Sequence, residues 1–276
     1  MTTLSVCICG SDNTVCLQEF SAPPKGEINF ISLEKYHRSL RQCTHCSHIL
    51  QRHQMNLDGL YSHQYVDATY GLEMKMRFEK IVNLPPESSD NRGRAIRVQS
   101  LLKLFFGGHA QNFVRILDVG SGLGVFPYQM RLDGWDCIAL DPDARSVALA
   151  HEYGTPAILA DFFEIEDEQH PIIFLKTFQC VTFNKVLEHV IDPIIMLSKA
   201  HMLLGAEGMV YVELPDGEAA LSESCEREEF FLEHYHVFSL ASACILITRA
   251  GFVPVRVERL KDPSGKYTLW GVGKKV

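Results

Sequence analysis

Residues 116–124 constrain the fold more than any other part of the chain, because an apolar run breaks there into three alternating glycines. Residues 114–119 have the composition of a buried parallel strand, and a helix is expected to begin near Val125. Glycine lets the backbone turn sharply and approach a ligand where a Cβ would clash. The sequence therefore predicts a strand, a tight turn and a helix that together cradle a small molecule.

The glycine spacing separates classes of ligand. Gly120, Gly122 and Gly124 follow the pattern G-x-G-x-G. A dinucleotide-binding turn places its third glycine one residue later, and a phosphate-binding P-loop needs a Lys-Ser/Thr pair that is absent here. Asp118 lies within the strand itself, where a buried acid is costly unless it is paired. The ammonium group of a methionine-derived cofactor is a suitable partner, directly or through water; the alternative is an Asp that caps the turn.

Two further acids follow later strand-like runs. Residues 135–140 are mostly apolar and end at Asp141, which lies 21 positions after Gly120. This distance suits one helix and one strand, and it places a carboxylate where a ribose presents its hydroxyl groups. Asp141 and Pro142 also suit a helix start, and both interpretations can hold together. Asp161 follows the run 156–160; its neighbour Phe162 is expected to cover an adenine face, although an Asp in this place often only begins a turn.

These motifs, together with the segment 184–193, resemble class I S-adenosylmethionine-dependent methyltransferases from about residue 113 to the C-terminus. The resemblance implies an α/β fold, a doubly wound, seven-stranded Rossmann-like sheet that is mostly parallel, with its last strand inserted antiparallel. Strand-like runs at 252–260 and 267–273, joined by a turn, suit that ending. The implied cofactor is S-adenosylmethionine, and the implied contacts are Asp118, Gly120, Ser121, Gly122, Gly124, Asp141, Pro142, Asp161, Phe162 and Asn184.

Four cysteines precede this region as two close pairs, Cys7 with Cys9 and Cys43 with Cys46. Two such pairs can supply four thiolates to one structural zinc ion, which would stabilise a segment of about seventy residues that has little apolar periodicity. The first pair has only one residue between its cysteines, a spacing that is less common at one zinc ion. Another side chain can therefore replace one of the four thiolates as ligand, and the candidates are Cys16, His45 and His48. Buried cysteines without a metal remain the alternative, and a redox role is less favoured.

A cysteine quartet before a methyltransferase domain is similar to the arrangement in sugar C-methyltransferases, which methylate nucleotide-linked keto sugars. The likeness includes the quartet, the aromatic stretch 61–70, His189 and the pair Glu233-His234. The sequence differs from that family in three places. The first cysteine is displaced by one position, and Phe231 stands where the family has a tyrosine. The family's C-terminal third has no counterpart here. The expected organisation is a zinc-binding module at 1–70, a helical lead-in at 71–112 and the methyltransferase domain at 113–276.

Methyl transfer requires alignment of acceptor and methyl group, exclusion of water and removal of one proton. His189 follows a predicted strand, 178–184, at the edge where such sheets bind ligands. We expect His234 to be the general base, oriented or assisted by Glu233, with His189 opposite and His236 in reserve. Adjacent residues of an extended chain face apart, which weakens the Glu233–His234 pairing. His189 can instead cap the helix that begins near residue 192.

The composition of the chain limits which kinds of substrate and partner are expected. The net charge of −8 disfavours a nucleic-acid substrate. A membrane span is not expected, because the sequence contains no run of eighteen apolar residues. Nine cysteines without a signal-like N-terminus lead us to expect a cytoplasmic protein. The expected acceptor is a small molecule, a nucleotide sugar or related metabolite of carbohydrate or natural-product biosynthesis. O- or N-methylation of another metabolite, protein or RNA methylation, and a catalytically silent binding protein are the alternatives.

Overall fold

The computed structural model describes residues 6–27, 36–55, 73–165 and 178–276. The aromatic stretch 61–70, with the candidate pocket residues Tyr65, Asp67 and Tyr70, lies outside the described residues. The chain divides into two compact units. The N-terminal unit comprises Met1–Gly71, Lys185–Leu197 and Glu213–Gly271, and the central unit comprises Leu72–Asn184, Ser198–Val212 and Val272–Val276. Each unit thus combines distant parts of the chain. The organisation into a module at 1–70, a lead-in at 71–112 and a methyltransferase domain at 113–276 stays a prediction.

The described residues contain the following strands: β1 (Thr14–Phe20), β2 (Arg38–Cys43), β3 (Ile49–His53), β4 (Arg115–Val119), β5 (Asp136–Asp141), β6 (Ala157–Leu159), β7 (Phe178–Asn184), β8 (Leu204–Pro215), β9 (His236–Val237), β10 (Val253–Lys261) and β11 (Tyr267–Lys274). The α-helices in the same ranges are α1 (Met74–Val82), α2 (Asp90–Phe106), α3 (Val125–Leu132), α4 (Ala144–Glu152), α5 (Pro193–Leu203), α6 (Gly217–Leu221) and α7 (Leu240–Arg249). Within these ranges, every helix is too short or too polar to cross a bilayer.

Seven strands form one sheet in the order β10-β11-β8-β7-β4-β5-β6. The pairs β4–β5, β4–β7 and β5–β6 are parallel, as expected for strands whose apolar runs are continuous and buried. Five residues join β10 to β11, too few for a parallel crossover, so these two strands are antiparallel. The last strand therefore lies between β10 and β8, and the predicted α/β fold with an inserted final strand is confirmed.

Two helices beside this sheet begin at a residue whose side chain accepts a free backbone N–H group. Ser89 accepts the N–H of Arg92 at the start of α2, and Asp143 accepts the N–H of Arg145 at the start of α4. Such caps are each typically worth about 1 kcal/mol. They set the points at which the chain leaves one element and enters the next.

The N-terminal unit contains a second sheet, in the order β1-β2-β3-β9. The pairs β1–β2, β2–β3 and β3–β9 are all antiparallel, and Leu50 pairs with His236 across nearly two hundred positions of sequence. A buried ion pair lies beside this sheet: Arg38 Nη2 donates to Glu27 Oε2 at 2.8 Å, and both side chains are fully buried. Glu27 Oε2 also accepts the N–H of Leu232 at 2.8 Å, which fixes the loop before β9.

Candidate functional site

The three predicted glycines turn the chain between β4 and α3. Gly120, Gly122 and Gly124 have φ values of 65°, 53° and 73°, a left-handed conformation that other residues adopt only at a cost. The N–H groups of Gly120 and Ser121 both donate to the carbonyl oxygen of Leu140, at 2.8 and 3.1 Å. The turn is therefore fixed against the end of β5 by the backbone alone.

Asp118, at the penultimate position of β4, lies opposite Thr182 of β7 and is 2% exposed. Its Oδ1 accepts the Thr182 hydroxyl at 2.6 Å and the Asn184 side-chain N–H at 2.7 Å. Burial raises the pKa of Asp118 to about 7, although these two hydrogen bonds act in the opposite direction. The other side-chain atom of Asn184, Oδ1, is buried and has no hydrogen-bond partner. The carboxyl ends of two adjacent strands thus present two buried acceptors, which suit a cationic donor.

Asp141 links the end of β5 to the glycine turn. Its Oδ2 accepts the N–H of Gly122 at 2.7 Å, and its Oδ1 accepts the N–H of Asp143 at 2.9 Å. Burial raises its pKa to about 6 against the effect of these bonds. The side chain that caps α4 is that of Asp143, and Pro142 between them is exposed. Since each carboxylate oxygen has a second lone pair, Asp141 keeps capacity for ligand hydroxyl groups.

The two residues after β6 differ in their surroundings. Asp161 is exposed and its Oδ1 accepts the N–H of Phe163 at 2.8 Å, which is the turn-forming role. Phe162 is 2% exposed and packs edge-on against Phe183 of β7, with ring centroids 5.6 Å apart. An adenine contact through either residue stays a prediction.

The structure brings the four predicted thiols together. The Sγ atoms of Cys7 and Cys46 are 3.5 Å apart, those of Cys9 and Cys43 are 3.6 Å apart, and all four lie within 4.8 Å of one another. Zinc–sulfur bonds of about 2.3 Å in a tetrahedron require sulfur separations of about 3.8 Å. Burial acts to raise the pKa of Cys43, but N–H groups of the following residues bond its sulfur and lower that pKa to about 6.

The three substitute ligands lie outside this quartet. Cys16 is exposed, and the Nδ1 atom of His45 is 3.0 Å from the Ser11 hydroxyl. His48 is buried, with its ring nitrogens 3.2 Å from the Ser242 hydroxyl and 3.0 Å from Nδ1 of His236. The geometry of the sulfur atoms therefore favours the four cysteines as a set.

The two predicted catalytic histidines lie beside each other, with ring centroids 4.8 Å apart. Nδ1 of His189 is 3.0 Å from the carbonyl oxygen of Glu233, and Nδ1 of His234 is 2.8 Å from that of Glu229. Burial lowers the pKa of His189 to about 4 and that of His234 well below its ordinary value, so both rings are neutral near pH 7. Burial raises the pKa of the Glu233 carboxyl to about 7.

Two other predictions concern these histidines, namely His236 as a reserve base and His189 as the cap of α5. Nε2 of the reserve candidate, His236, is 3.2 Å from the carbonyl oxygen of Ile191, while its Nδ1 meets His48. The cap of α5 is Asp192, whose carboxylate accepts the N–H of Ile195 at 2.9 Å. The His189 side chain is instead directed to the loop before β9, through the Glu233 carbonyl.

Three further residues beside these sites are not among the predicted site residues. The Thr182 hydroxyl contacts Asp118, and the charge of Arg94 on α2 acts to lower the pKa of the same carboxyl. Glu188 is 1% exposed, lies next to His189, and has a pKa that burial raises to about 7. Thr182 lies in a predicted strand and Glu188 in the segment 184–193, but nothing in the sequence indicates that either side chain, or that of Arg94, is part of a site.

A family model identifies the protein family to which the chain belongs. Residues 89–257, more than half of the chain, match the family model described as a methyltransferase domain. The chain belongs to this methyltransferase-domain family. With the glycine turn and the seven-stranded sheet, it carries a class I S-adenosylmethionine-dependent methyltransferase domain.

Individual relatives are more distant. The ubiquinone biosynthesis O-methyltransferase of Aliivibrio fischeri is 31% identical over 99 residues, or 35% of this chain and 42% of that protein. The enzyme of the same name from Photobacterium profundum is 31% identical over 102 residues, with the same coverage. The chain thus spans less than half the length of these curated relatives.

Solved structures show the same fold. Magnesium protoporphyrin IX methyltransferase from Synechocystis, solved with bound SAH, has a TM-score of 0.58 at 14% identity and covers 79% of this chain and 100% of its own. The 1,6-didemethyltoxoflavin-N1-methyltransferase of Burkholderia thailandensis has a TM-score of 0.53 at 16% identity, over 92% of this chain and 100% of its own.

Proposed function

We propose that this protein transfers a methyl group from S-adenosylmethionine to a small-molecule acceptor. The observation that carries the proposal is the pair of buried acceptors beside the glycine turn, the Asp118 carboxylate and the partnerless Oδ1 of Asn184. Buried acceptors of this kind are costly unless a donor reaches them. The ammonium group of the cofactor's methionine part supplies one with the matching charge.

The proposed ammonium site suggests which residues contact the other groups of the cofactor. Arg94 is the proposed partner of the cofactor's carboxylate, because its charge already acts on Asp118. Asp141 is the proposed acceptor for the ribose hydroxyl groups, with Gly122 holding the carboxylate in place through its N–H. Ser121, Gly124 and Phe162 are proposed to line the same pocket.

We propose a hydroxyl group as the acceptor, because the curated relatives are named as O-methyltransferases. Transfer to oxygen requires in-line placement and the loss of one proton. The neutral His189–His234 pair is proposed to manage that proton, with His234 as the predicted base. A net charge of −8 weighs against a nucleic-acid acceptor.

C-methylation of a keto sugar is the second candidate, and the assembled cysteine quartet is the observation that favours it. The curated relatives described above are ubiquinone biosynthesis O-methyltransferases, so a nucleotide-sugar acceptor stays a proposal. The quartet is itself proposed to hold one structural zinc ion, which would fix the segments carrying Cys7 and Cys46 to each other.

Isothermal titration with S-adenosylhomocysteine tests the cofactor site. The replacement Asp118→Asn keeps the shape of the side chain and removes its charge. We expect a Kd that is roughly 10- to 100-fold higher, because one charge-assisted hydrogen bond is lost. The matched control is Asp12→Asn, the same chemical change at an exposed position. Equal affinity of the two variants would remove the proposed ammonium site. Labelled-methyl assays against phenols and nucleotide keto sugars then separate the two acceptors.

A further inference from the structure

The N-terminal unit contains a second cluster of metal-ligating side chains besides the cysteine quartet. Glu188, His189 and His234 each offer one ligand atom, and the three atoms lie within 4.8 Å of one another. Glu188 is 1% exposed, and its Oε2 atom is buried without a hydrogen-bond partner. A carboxylate in that environment is costly unless a positive group reaches it.

The backbone fixes the tautomers of both histidines. Nδ1 of His189 faces the Glu233 carbonyl oxygen, and Nδ1 of His234 faces the Glu229 carbonyl oxygen. A carbonyl oxygen only accepts, so each Nδ1 carries the hydrogen and each Nε2 carries the lone pair. Metal-binding histidines are oriented by the same kind of bond from the other ring nitrogen.

The cluster therefore combines two imidazole lone pairs with one buried carboxylate. We propose that Glu188, His189 and His234 bind one divalent transition-metal ion. Two nitrogens and one oxygen suit Zn²⁺, Fe²⁺ or Co²⁺ and leave further coordination positions for water or a ligand. The soft thiolate quartet differs in chemistry from this nitrogen and oxygen site, so the two clusters can be occupied independently.

Two positive side chains act on the rings and have acceptors of their own. Lys185 Nζ donates to Thr268 Oγ1 at 2.5 Å, and Lys266 pairs with Glu228 at 3.0 Å. Both lysines contribute to the lowered pKa of His189, which keeps that ring neutral, the form that binds metals. The charge of the ion is then balanced first by Glu188.

This inference goes beyond the proposed function, because metal binding can be measured without methyl transfer. It also redefines the proposed role of His234, since a nitrogen whose lone pair holds an ion does not accept a proton. A bound divalent ion lowers the pKa of a coordinated hydroxyl group, which is the same task by another route.

The test is a Co²⁺ titration of full-length protein whose cysteine quartet has first been loaded with one equivalent of Zn²⁺. We expect one further Co²⁺ per chain with weak visible bands and without the intense near-ultraviolet bands of cobalt–thiolate bonds. Glu188→Gln and His234→Ala should each weaken this binding at least about 100-fold, the upper range for loss of even an outer-shell partner. Glu226→Gln, at an exposed position, is the matched control and should bind as wild type.

A thermal scan separates a ligand from a structural residue. With the quartet loaded with Zn²⁺ and no Co²⁺ present, Glu188→Gln should melt no lower than wild type, because it removes a buried carboxylate, yet it should lose the rise in Tm that Co²⁺ then gives to wild type. Absent Co²⁺ binding, or equal binding by wild type and Glu188→Gln, would show that a proton on Glu188 satisfies the cluster and would overturn the inference. Unchanged S-adenosylhomocysteine affinity in that case would leave the proposed function intact.

Discussion

The buried Asp118 carboxyl predicts a specific pH dependence of cofactor binding. Burial raises its pKa to about 7, so that near neutral pH the ligand-free protein is a mixture of the protonated and ionised forms. The proposed ammonium partner binds only the ionised form well, because a protonated carboxyl offers no charge. Binding below pH 7 must therefore release a proton from Asp118.

The size of the pH effect on Kd follows from the fraction of Asp118 that is ionised. With a pKa of about 7, the ionised fraction at pH 5.5 is about 3%, and the apparent Kd rises in inverse proportion to the competent fraction, about 30-fold. The logarithm of Kd should change by about one per pH unit on the acid side and level off above pH 7. Binding weakens again at alkaline pH, where the ligand's own α-amino group loses its proton.

Calorimetric titration with S-adenosylhomocysteine between pH 5.5 and 8.5, in two buffers of different ionisation enthalpy, measures both Kd and the proton release. At pH 5.5 we expect close to one proton released per ligand bound. Asp118→Asn should bind more weakly at neutral pH and lose the roughly 30-fold acid limb, keeping at most the effect of about fourfold at pH 5.5 that an Asp141 pKa of about 6 allows. Methylthioadenosine, which lacks the ammonium group, should likewise bind wild type without the roughly 30-fold limb.

An acid limb of equal slope in wild type and Asp118→Asn would refute the reasoning, because another group would then be responsible. Asp141 is the group to consider, since burial raises its pKa to about 6. It interacts with ribose hydroxyl groups in the proposed complex, and methylthioadenosine retains those groups. An acid limb that persists with methylthioadenosine would therefore assign the titration to Asp141.

Three further predictions concern the two units. Arg38→Met leaves the Glu27 carboxylate buried without a positive partner, so we expect about 3–5 kcal/mol less free energy of unfolding in urea, part of it restored by adding Glu27→Gln, which removes the charge and keeps an acceptor for the N–H of Leu232. Cys46→Ser should lower bound zinc by one equivalent, by elemental analysis, while Cys16→Ser, exposed and outside the quartet, keeps it. Gly124→Ala should cost about 1–2 kcal/mol, because alanine resists a φ of 73°, and should weaken S-adenosylhomocysteine binding.

The middle of the seven-stranded sheet could be predicted from the sequence because most residues of β4, β5, β7 and β8 are buried, on both faces of the sheet. Such strands appear as continuous apolar runs, and β7 begins and ends at the predicted residues, 178 and 184. Apolar runs give less accurate bounds for β8, which starts at Leu204 although its continuous apolar run starts only at Met209. Two glycines, an alanine and a glutamate at 205–208 interrupt the apolar pattern there, although the backbone continues as a strand.

The sheet of the N-terminal unit could not be predicted in the same way. β2 has the sequence Arg-Ser-Leu-Arg-Gln-Cys, and the burial of Arg38 depends on Glu27 and on the loop before β9. β9 has two residues and pairs with a strand almost two hundred positions earlier. Local patterns carry no information about partners at that separation, whereas the spacing of Cys43 and Cys46 was a sufficient signal for the quartet.

Both proposed binding sites share one physical feature, which the sequence does not reveal. In the central unit a pKa raised from 3.8 to about 7 means that ionising Asp118 in the folded protein costs about 4 kcal/mol more than in water. In the N-terminal unit Glu188 carries a similar penalty, again from burial. Buried carboxyl groups with strongly raised pKa values are concentrated at functional sites. Replacing either carboxylate by its amide should therefore stabilise the ligand-free protein and weaken the binding of a different ligand in each unit.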